Sequence, residues 1–367
     1  YNYTVQDDEG NVVASYQYRR YDFSKGVYSN LRTLIIGGNA EIGDFAFAGN
    51  ANITTFTLGD GAKIGDYAFY DIAGLSEVDL SKAQEIGAYA FSGKRTQDYQ
   101  ILNNYPEFAY ELQYLNENLY VVDYVYAYNA PALEKAYLTN AVKLGEGAFA
   151  FNGSLKDVKL GTKIQEVPDY VFACTKALEK ITLPDNYTAI GDYAFYASSL
   201  KEINLANLLL IGDNALALTY LEKVSLKDGV SVGDSAFAYV ETLKTVENLQ
   251  NVKSIGDYAF MYTALEKLDL TNVEHIGSFA FRQAKVKEIT FGNKLTELGD
   301  NPFEGCAIET FAKAEEKKDS KKSVKPLYKA KKKLAMRAGE TDVAVNFIVR
   351  PAFFSGTLSV LGEEETP

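Results

Sequence analysis

The sequence predicts an α/β repeat solenoid, and three observations predict it. A unit seen most cleanly at Ile190-Gly191-Asp192-Tyr193-Ala194-Phe195, followed by Leu200-Lys201-Glu202-Ile203-Asn204-Leu205, recurs about every 22 residues. That is the spacing of a coil that cannot bury its apolar face alone and must stack on neighbours. An aromatic column follows each opening aliphatic residue: Phe47, Phe69, Phe91, Tyr126, Phe149, Phe172, Phe195, Phe237, Phe260, Phe281 and Phe303, with Leu216 the one aliphatic substitute. The L-x-x-L-x-L half of the unit alternates like a short strand, and the I-G-D-Y-A-F half has the pattern of a turn feeding one helical turn.

Taken in order, residues 1–30 fall outside the repeat. Tyr3-Thr4-Val5, then Asp8-Glu9-Gly10-Asn11, then Val12 to Tyr18 predict a hairpin that covers the open hydrophobic end of the first coil. Leu31 to Ile36 supplies a strand ahead of the first full coil. The coils then open at Ile42, Ile64, Ile86, Val121, Leu144, Val167, Ile190, Ile211, Val232, Ile255, Ile276 and Leu298, in steps of 21 to 23 residues except one of 35. With strands about 4.8 Å apart, about 12 coils make a stack of roughly 60 Å.

A glycine follows the opener in most coils, but Pro168 and Val122 occupy the same column. Proline is locked at negative φ, so the column predicts close backbone approach rather than a left-handed turn. The next column is acidic in ten of the twelve coils: Asp44, Asp66, Asp123, Glu146, Asp169, Asp192, Asp213, Asp234, Asp257 and Asp300. Acidic residues ahead of a short helical turn cap its free amides. Calcium binding is the alternative reading, and the G-G-x-G-x-D pattern of calcium-binding β-helices is absent.

The second strand position alternates in sign through nine successive coils: Glu134, Lys156, Glu179, Lys201, Glu222, Lys244, Glu266, Lys287, Glu309. The third position runs nearly in antiphase, from Lys135 and Asp157 to Lys267 and Glu288. In register, the two columns form a checkerboard in which each charge faces its opposite above and below. A face whose charges cancel pairwise is a poor anchor for a highly charged ligand.

At this point the chain resembles a leucine-rich repeat protein, specifically of the BspA-like or Treponema-type family, whose units carry I-G-x-x-A-F followed by L-x-x-L-x-L. The resemblance covers residues 31–311, with Pro302 in the alanine column and the long step after Ile86 as departures. It implies a right-handed leucine-rich repeat solenoid of about 12 coils. It also implies an extracellular or cell-surface adhesion protein that binds host, extracellular-matrix or neighbouring-cell proteins. The chain begins at Tyr1, and removal of an export signal is the matching expectation.

The step from Ile86 to Val121 carries an insertion near 94–120. Pro106 can open a short amphipathic helix with Phe108, Leu112, Leu115 and Leu119 on one stripe. Insertions in repeat proteins emerge on one face and often bind partners, so Tyr99, Tyr105, Tyr110, Tyr114 and Tyr120 are the candidate ligand-binding residues. The bland reading packs these aromatics on the outer wall of the solenoid. Tyr70, Tyr128, Phe151, Tyr196, Tyr239 and Tyr262 form a second aromatic set, either packed between coils or open to sugars and proteins.

Charge and composition exclude several classes. The formal charge is -12, and residues 313–367 hold 12 basic against 8 acidic side chains, which leaves the preceding body near -16. An acidic body disfavours nucleic acid or an anionic membrane as partner. No run of 18 apolar residues exists, so no transmembrane segment is expected. Residues 312–340 have the composition of a lysine-rich linker, and Thr341 to Val349 and Thr357 to Leu361 predict two strands in a tail, 341–367. Cys174 and Cys306 lie six coils apart, roughly 29 Å at that strand spacing, too far to bridge, and both predict small buried hydrophobes. His275 is the only histidine, expected as a solvated loop residue, and no P-loop or nucleophile-elbow motif is present. No enzyme activity, metal or cofactor is expected. The alternatives to adhesion are a spacer without a ligand and a carbohydrate-binding surface built on the tyrosines.

Overall fold

Most described coils lay down two short strands that stack in parallel on the equivalent strands of a neighbouring coil. The L-x-x-L-x-L segments at 178–183 and 200–205 join only through isolated bridges, Lys180 to Glu202 and Leu205 to Leu226. The computed structural model describes residues 31–93 and 133–313, together with the backbone of strands Asn2–Gln6, Val12–Gln17, Ala330–Leu334, Val343–Phe347 and Val360–Leu361. The first strand of a coil is the L-x-x-L-x-L segment. Thr33–Ile36 pairs with Thr55–Leu58, Asp157–Leu160 with Lys135–Leu138, and Lys267–Leu270 with Glu288–Phe291, each residue opposite its repeat equivalent. The second strand ends on the opening aliphatic residue, so that Ile42 faces Ile64, Ile190 faces Ile211 and Ile255 faces Ile276.

Between the two sheets lies one continuous core. Its axis is the phenylalanine column, with ring centroids 4.9–6.0 Å apart and planes within 20° from Phe47 to Phe195 and again from Phe237 to Phe303. Leu216 fills the single gap and is fully buried. Offset-stacked rings of this kind contribute about 0.5–1.5 kcal/mol per pair beyond the area they bury. Tyr187 stands fully buried where most coils carry an aliphatic side chain, and burial pushes its phenol up to about 12.

The half of the unit expected as a helical turn is not helical. The third residue after each opener lies in the left-handed region, including Phe45, Tyr67, Tyr89, Tyr170, Tyr193, Ser235, Tyr258 and Phe279 at φ 52–58. So does the seventh, including Cys174, Ala197, Leu218, Tyr239 and Gln283 at φ 53–60. Left-handed geometry costs a side-chain-bearing residue roughly 1–2 kcal/mol, and no α-helix accommodates it twice in five residues. Hydrogen bonds between coils hold it in place. The amides of Tyr193, Phe195 and Ala197 donate to the carbonyls of Asp213, Ala215 and Ala217 at 2.8–2.9 Å, while those of Tyr196 and Ser198 turn back to Tyr193 and Phe195. The turn half is therefore a third ladder. Among the described residues the only helical element is the 3-10 turn Leu249–Asn251.

No described coil stands between those of Ile86 and Leu144. Lys143–Leu144 pairs directly with Ala83–Ile86, Leu144 facing Ile86, and Phe91 stacks on Phe149 at 5.7 Å. Glu77–Asp79 likewise pairs directly with Lys135–Leu138. Eleven openers are thus stacked among the described residues, and Val121, Val122, Asp123 and Tyr126 fall in the segment 94–132, outside those residues.

The opener sheet divides once, into four strands ending at Lys143–Leu144 and seven beginning at Glu166–Val167. Pro168 is the reason. In every other described coil after the first, the glycine amide following the opener donates to the preceding opener's carbonyl, as Gly145 does to Ile86 and Gly191 to Val167. Proline has no such hydrogen to give. Asn2–Gln6 and Val12–Gln17 pair antiparallel as the predicted hairpin. Near the other end Ala330–Leu334, inside the stretch expected as a linker, pairs antiparallel with Val343–Phe347 and Val360–Leu361.

Candidate interaction surface

The stack exposes two sheets and a wall of turns. On the L-x-x-L-x-L sheet the charge checkerboard is present, but its ion pairs join coils two by two. Glu134 meets Lys156 at 2.6 Å, Glu179 meets Lys201 at 2.6 Å, Glu222 meets Lys244 at 4.0 Å and Glu266 meets Lys287 at 3.3 Å. The adjoining column pairs Glu77 with Lys135, Lys180 with Glu202 and Lys267 with Glu288, while Lys223, opposite Thr245, reaches diagonally to Glu247. A lysine that closes on one carboxylate turns away from the next. The hydrogen bond from Lys156 holds the Glu134 carboxyl below its ordinary range, and Glu77 raises the Lys135 ammonium. Near the insertion, Lys159 sits 4.7 Å from the centre of the Tyr137 ring.

A second alternating column escaped the sequence reading. On the opener sheet the residue before each opener runs Glu41, Lys63, Glu85, Lys143, Glu166, then Ala189, Leu210, Ser231, Ser254, then His275 and Glu297. Lys63 meets Glu85 at 2.7 Å. His275 lies in strand His275–Ile276 rather than a loop, with Nδ1 2.8 Å from Glu297. Leu209 and Leu210 are about half exposed between the two charged ends.

On the turn wall the carboxylates do cap amides, but those of the next coil. Oδ1 of Asp44, Asp66, Asp169, Asp192, Asp213, Asp234 and Asp257 each accepts the backbone N–H of the equivalent residue one coil on, at 2.6–2.8 Å. Ser278 continues the ladder with its hydroxyl, which accepts from the Asp300 amide at 3.1 Å. The expected close approach at glycine has the same cause. A Cβ on Gly191, Gly212, Gly233, Gly256 or Gly277 would lie 2.2–2.5 Å from the preceding Asp Oδ1.

Beside this ladder the left-handed column carries rings that the sequence reading did not group. Phe45, Tyr67 and Tyr89 stack at 4.9 and 5.2 Å, Tyr170 stacks on Tyr193 at 4.8 Å, and Tyr258 on Phe279 at 5.1 Å. A period-22 alignment of third-position residues would have found them. The tyrosine set read as one band divides between two positions. Tyr239 stacks on Tyr262 at 4.9 Å, Tyr70 and Tyr196 meet Tyr67 and Tyr193 edge-on, and Tyr128 lies outside the described residues. Stacking along the solenoid covers ring faces and leaves edges to solvent.

Both cysteines are buried, and no disulfide joins them. Burial pushes the Cys306 thiol up to about 12, and its Sγ lies 3.1 Å from the Phe281 carbonyl oxygen. Lys176 is also drawn inward, its ammonium donating to the Ala197 carbonyl at 2.5 Å, and burial lowers its pKa.

Tyr99, Tyr105, Tyr110, Tyr114 and Tyr120 lie outside the described residues, as does the helix expected after Pro106. Their point of attachment is described. The stack closes between Gly93, whose amide donates to Ala150, and Leu133, which is fully buried. Among the described residues no helix is long and apolar enough to cross a membrane.

Comparison with known families and structures places these features. The pattern described as the BspA type leucine rich repeat region matches in six copies, over residues 40–124, 120–244 and 210–323. No curated protein matches the chain. Among solved structures, a leucine-rich repeat protein from Bacteroides ovatus is 22% identical, over 77% of this chain and 84% of that one, with a TM-score of 0.44. The pneumococcal vaccine antigen PcpA is 16% identical over 80% of this chain and 81% of its own, with a TM-score of 0.46. A leucine rich cell surface protein from Faecalibacterium prausnitzii is 18% identical over 76% and 84%, with a TM-score of 0.37.

Proposed function

Because the chain belongs to the BspA-type leucine-rich repeat family, we propose that it is an extracellular or cell-surface binding protein. In this reading the solenoid is a rigid support, and residues 94–132 are the part presented to a protein ligand of a host, matrix or neighbouring cell. One observation carries the proposal: Lys143–Leu144 pairs directly with Ala83–Ile86, so the stack is complete without the insertion. Residues the scaffold does not use are available for recognition, and tyrosine offers a broad apolar body with a polar tip at small entropic cost. The paired charges of the L-x-x-L-x-L sheet support the same choice, since they leave little net field there to hold a charged ligand.

The carbohydrate reading has less behind it. Sugars bind tyrosine by lying against a ring face, and the column rings spend those faces on one another.

The test uses the full chain and a variant in which a short Gly-Ser linker replaces residues 94–132, each applied to a panel of matrix and cell-surface proteins and to a glycan array. Expected is protein binding by the full chain, lost on deletion, with the circular dichroism and melting temperature of the solenoid retained. Undiminished protein binding by the deleted chain would remove the insertion from the account. Silence on both panels would favour a spacer.

A further inference from the structure

We propose that the opener sheet is a self-complementary docking face on which a second copy of this chain lies antiparallel. The argument rests on the order of side chains along that sheet and is independent of the binding role of residues 94–132. From Lys143 to its last member the outward column reads Lys143, Glu166, Ala189, Leu210, Ser231, Ser254, His275, Glu297. A two-fold axis along the strand direction, passing between Leu210 and Ser231, sets each position against its mirror. Leu210 then faces Ser231 of the second copy, and Ala189 faces Ser254. Glu166 faces His275, and Lys143 faces Glu297. Within this strip Lys143 meets a carboxylate and Glu166 meets the imidazole of His275, each contact made twice by symmetry, while Glu41, Lys63 and Glu85 extend beyond it.

The alternative arrangements fail on the same list. Copies laid parallel set lysine on lysine and glutamate on glutamate. Moving the axis onto Leu210 sets Glu297 against Glu85. The neutral centre provides what the charges enclose, since Leu209 and Leu210 are 51% and 48% exposed, among the most exposed large apolar side chains described. The neighbouring column adds no clash: under the same axis Thr188 faces Lys253 and Gln165 faces Glu274.

The dimer is weak by its dimensions. Eight coils at about 4.8 Å spacing give a strip about 34 Å long. At a width of about 15 Å it covers roughly 500 Å² per copy, the lower end of specific interfaces. The aspartate ladders of both copies run along one rim, which weakens the association further. Complementary charge therefore sets the pairing geometry, and the apolar centre supplies most of the attraction.

Sedimentation equilibrium of the full chain, over a concentration series at fixed salt, tests this. The wild-type mass is expected to rise from one chain towards two. Leu210→Asp should abolish the rise, and Lys143→Glu or Glu297→Lys alone should raise the dissociation constant roughly tenfold. The double variant Lys143→Glu/Glu297→Lys should recover at least half of that loss, because the reversed pair is again complementary. All three positions are exposed, and circular dichroism checks that each variant is folded. A wild-type chain that stays monomeric throughout, or a dimer indifferent to Leu210→Asp and to both charge reversals, would overturn the proposal.

Discussion

A glycine and the aspartate before it in the stack carry most of the turn wall. The Cβ that alanine would add at Gly256 has Asp234 Oδ1 at 2.4 Å and backbone at 2.6 Å, whereas at Gly43, in the first opener coil, nothing lies within 4 Å. Gly256→Ala is expected to destabilise by about 1–3 kcal/mol, as overpacking does, and Gly43→Ala to leave the melting temperature unchanged. Thermal denaturation of the two variants separates close approach from any general intolerance of alanine.

The carboxylates make a pH-dependent prediction. Burial, and then the charges of Asp234 and Asp192, hold the Asp213 carboxyl above its ordinary range. A raised native pKa means that folding favours the protonated form. The charge therefore weakens the fold at neutral pH, and that penalty is relieved as pH falls through the raised value towards the unfolded one. Asp213→Asn keeps an oxygen for the Asp234 amide and removes the charge. It should melt higher than wild type at pH 7, with the difference shrinking as pH falls through the raised value and largely gone once the ordinary aspartate range of about pH 4 is reached. Asp213→Ala, which removes the acceptor as well, should melt lower than Asp213→Asn at pH 7.

At the scale of the element, the phenylalanine column was legible because burial and period coincide: a large apolar residue every 22 positions has nowhere to go but the core. Phe195 is fully buried against Phe172 at 5.4 Å, and Phe195→Ala should cost about 3–5 kcal/mol in chemical denaturation. The helical turn was misread because I-G-D-Y-A-F has helix-like spacing, while left-handed tyrosine, leucine and glutamine run against local preference and are held only by the next coil. A single unit cannot display that. The acidic residues drew the capping reading for the right chemistry but the wrong amide, since the donor lies 21 to 23 residues on.

The unit expected at Val121 lies outside the described residues. Val121 to Tyr126 reproduces the apolar spacing of the unit, and pattern alone does not say whether a copy joins the stack. The direct meeting of the Ile86 and Leu144 coils has an electrostatic signal. Glu41, Lys63, Glu85, Lys143 and Glu166 alternate without a break only if Tyr120 is passed over. Tyr99 and its companions were legible as an insertion from the 35-residue step, and their role follows from nothing the coils require of them.

For the whole molecule, neighbouring coils supply what each coil lacks: an amide for its aspartate, a ring for its phenylalanine, a counter-charge for its lysine. Such a chain is a sum of interfaces between neighbours, so an interruption is tolerated only where the coils on either side still meet. The passage of the stack directly from the coil of Ile86 to that of Leu144 is therefore its central feature. Glu85 and Lys143 are direct partners across that junction, at the separation of about 4.8 Å between paired strands, within reach of a disulfide. The double variant Glu85→Cys/Lys143→Cys should form that bridge on mild oxidation, identified by peptide mass spectrometry. If its thiols stay free while Glu85→Cys/Tyr120→Cys bridges instead, a coil lies between them and the account is wrong.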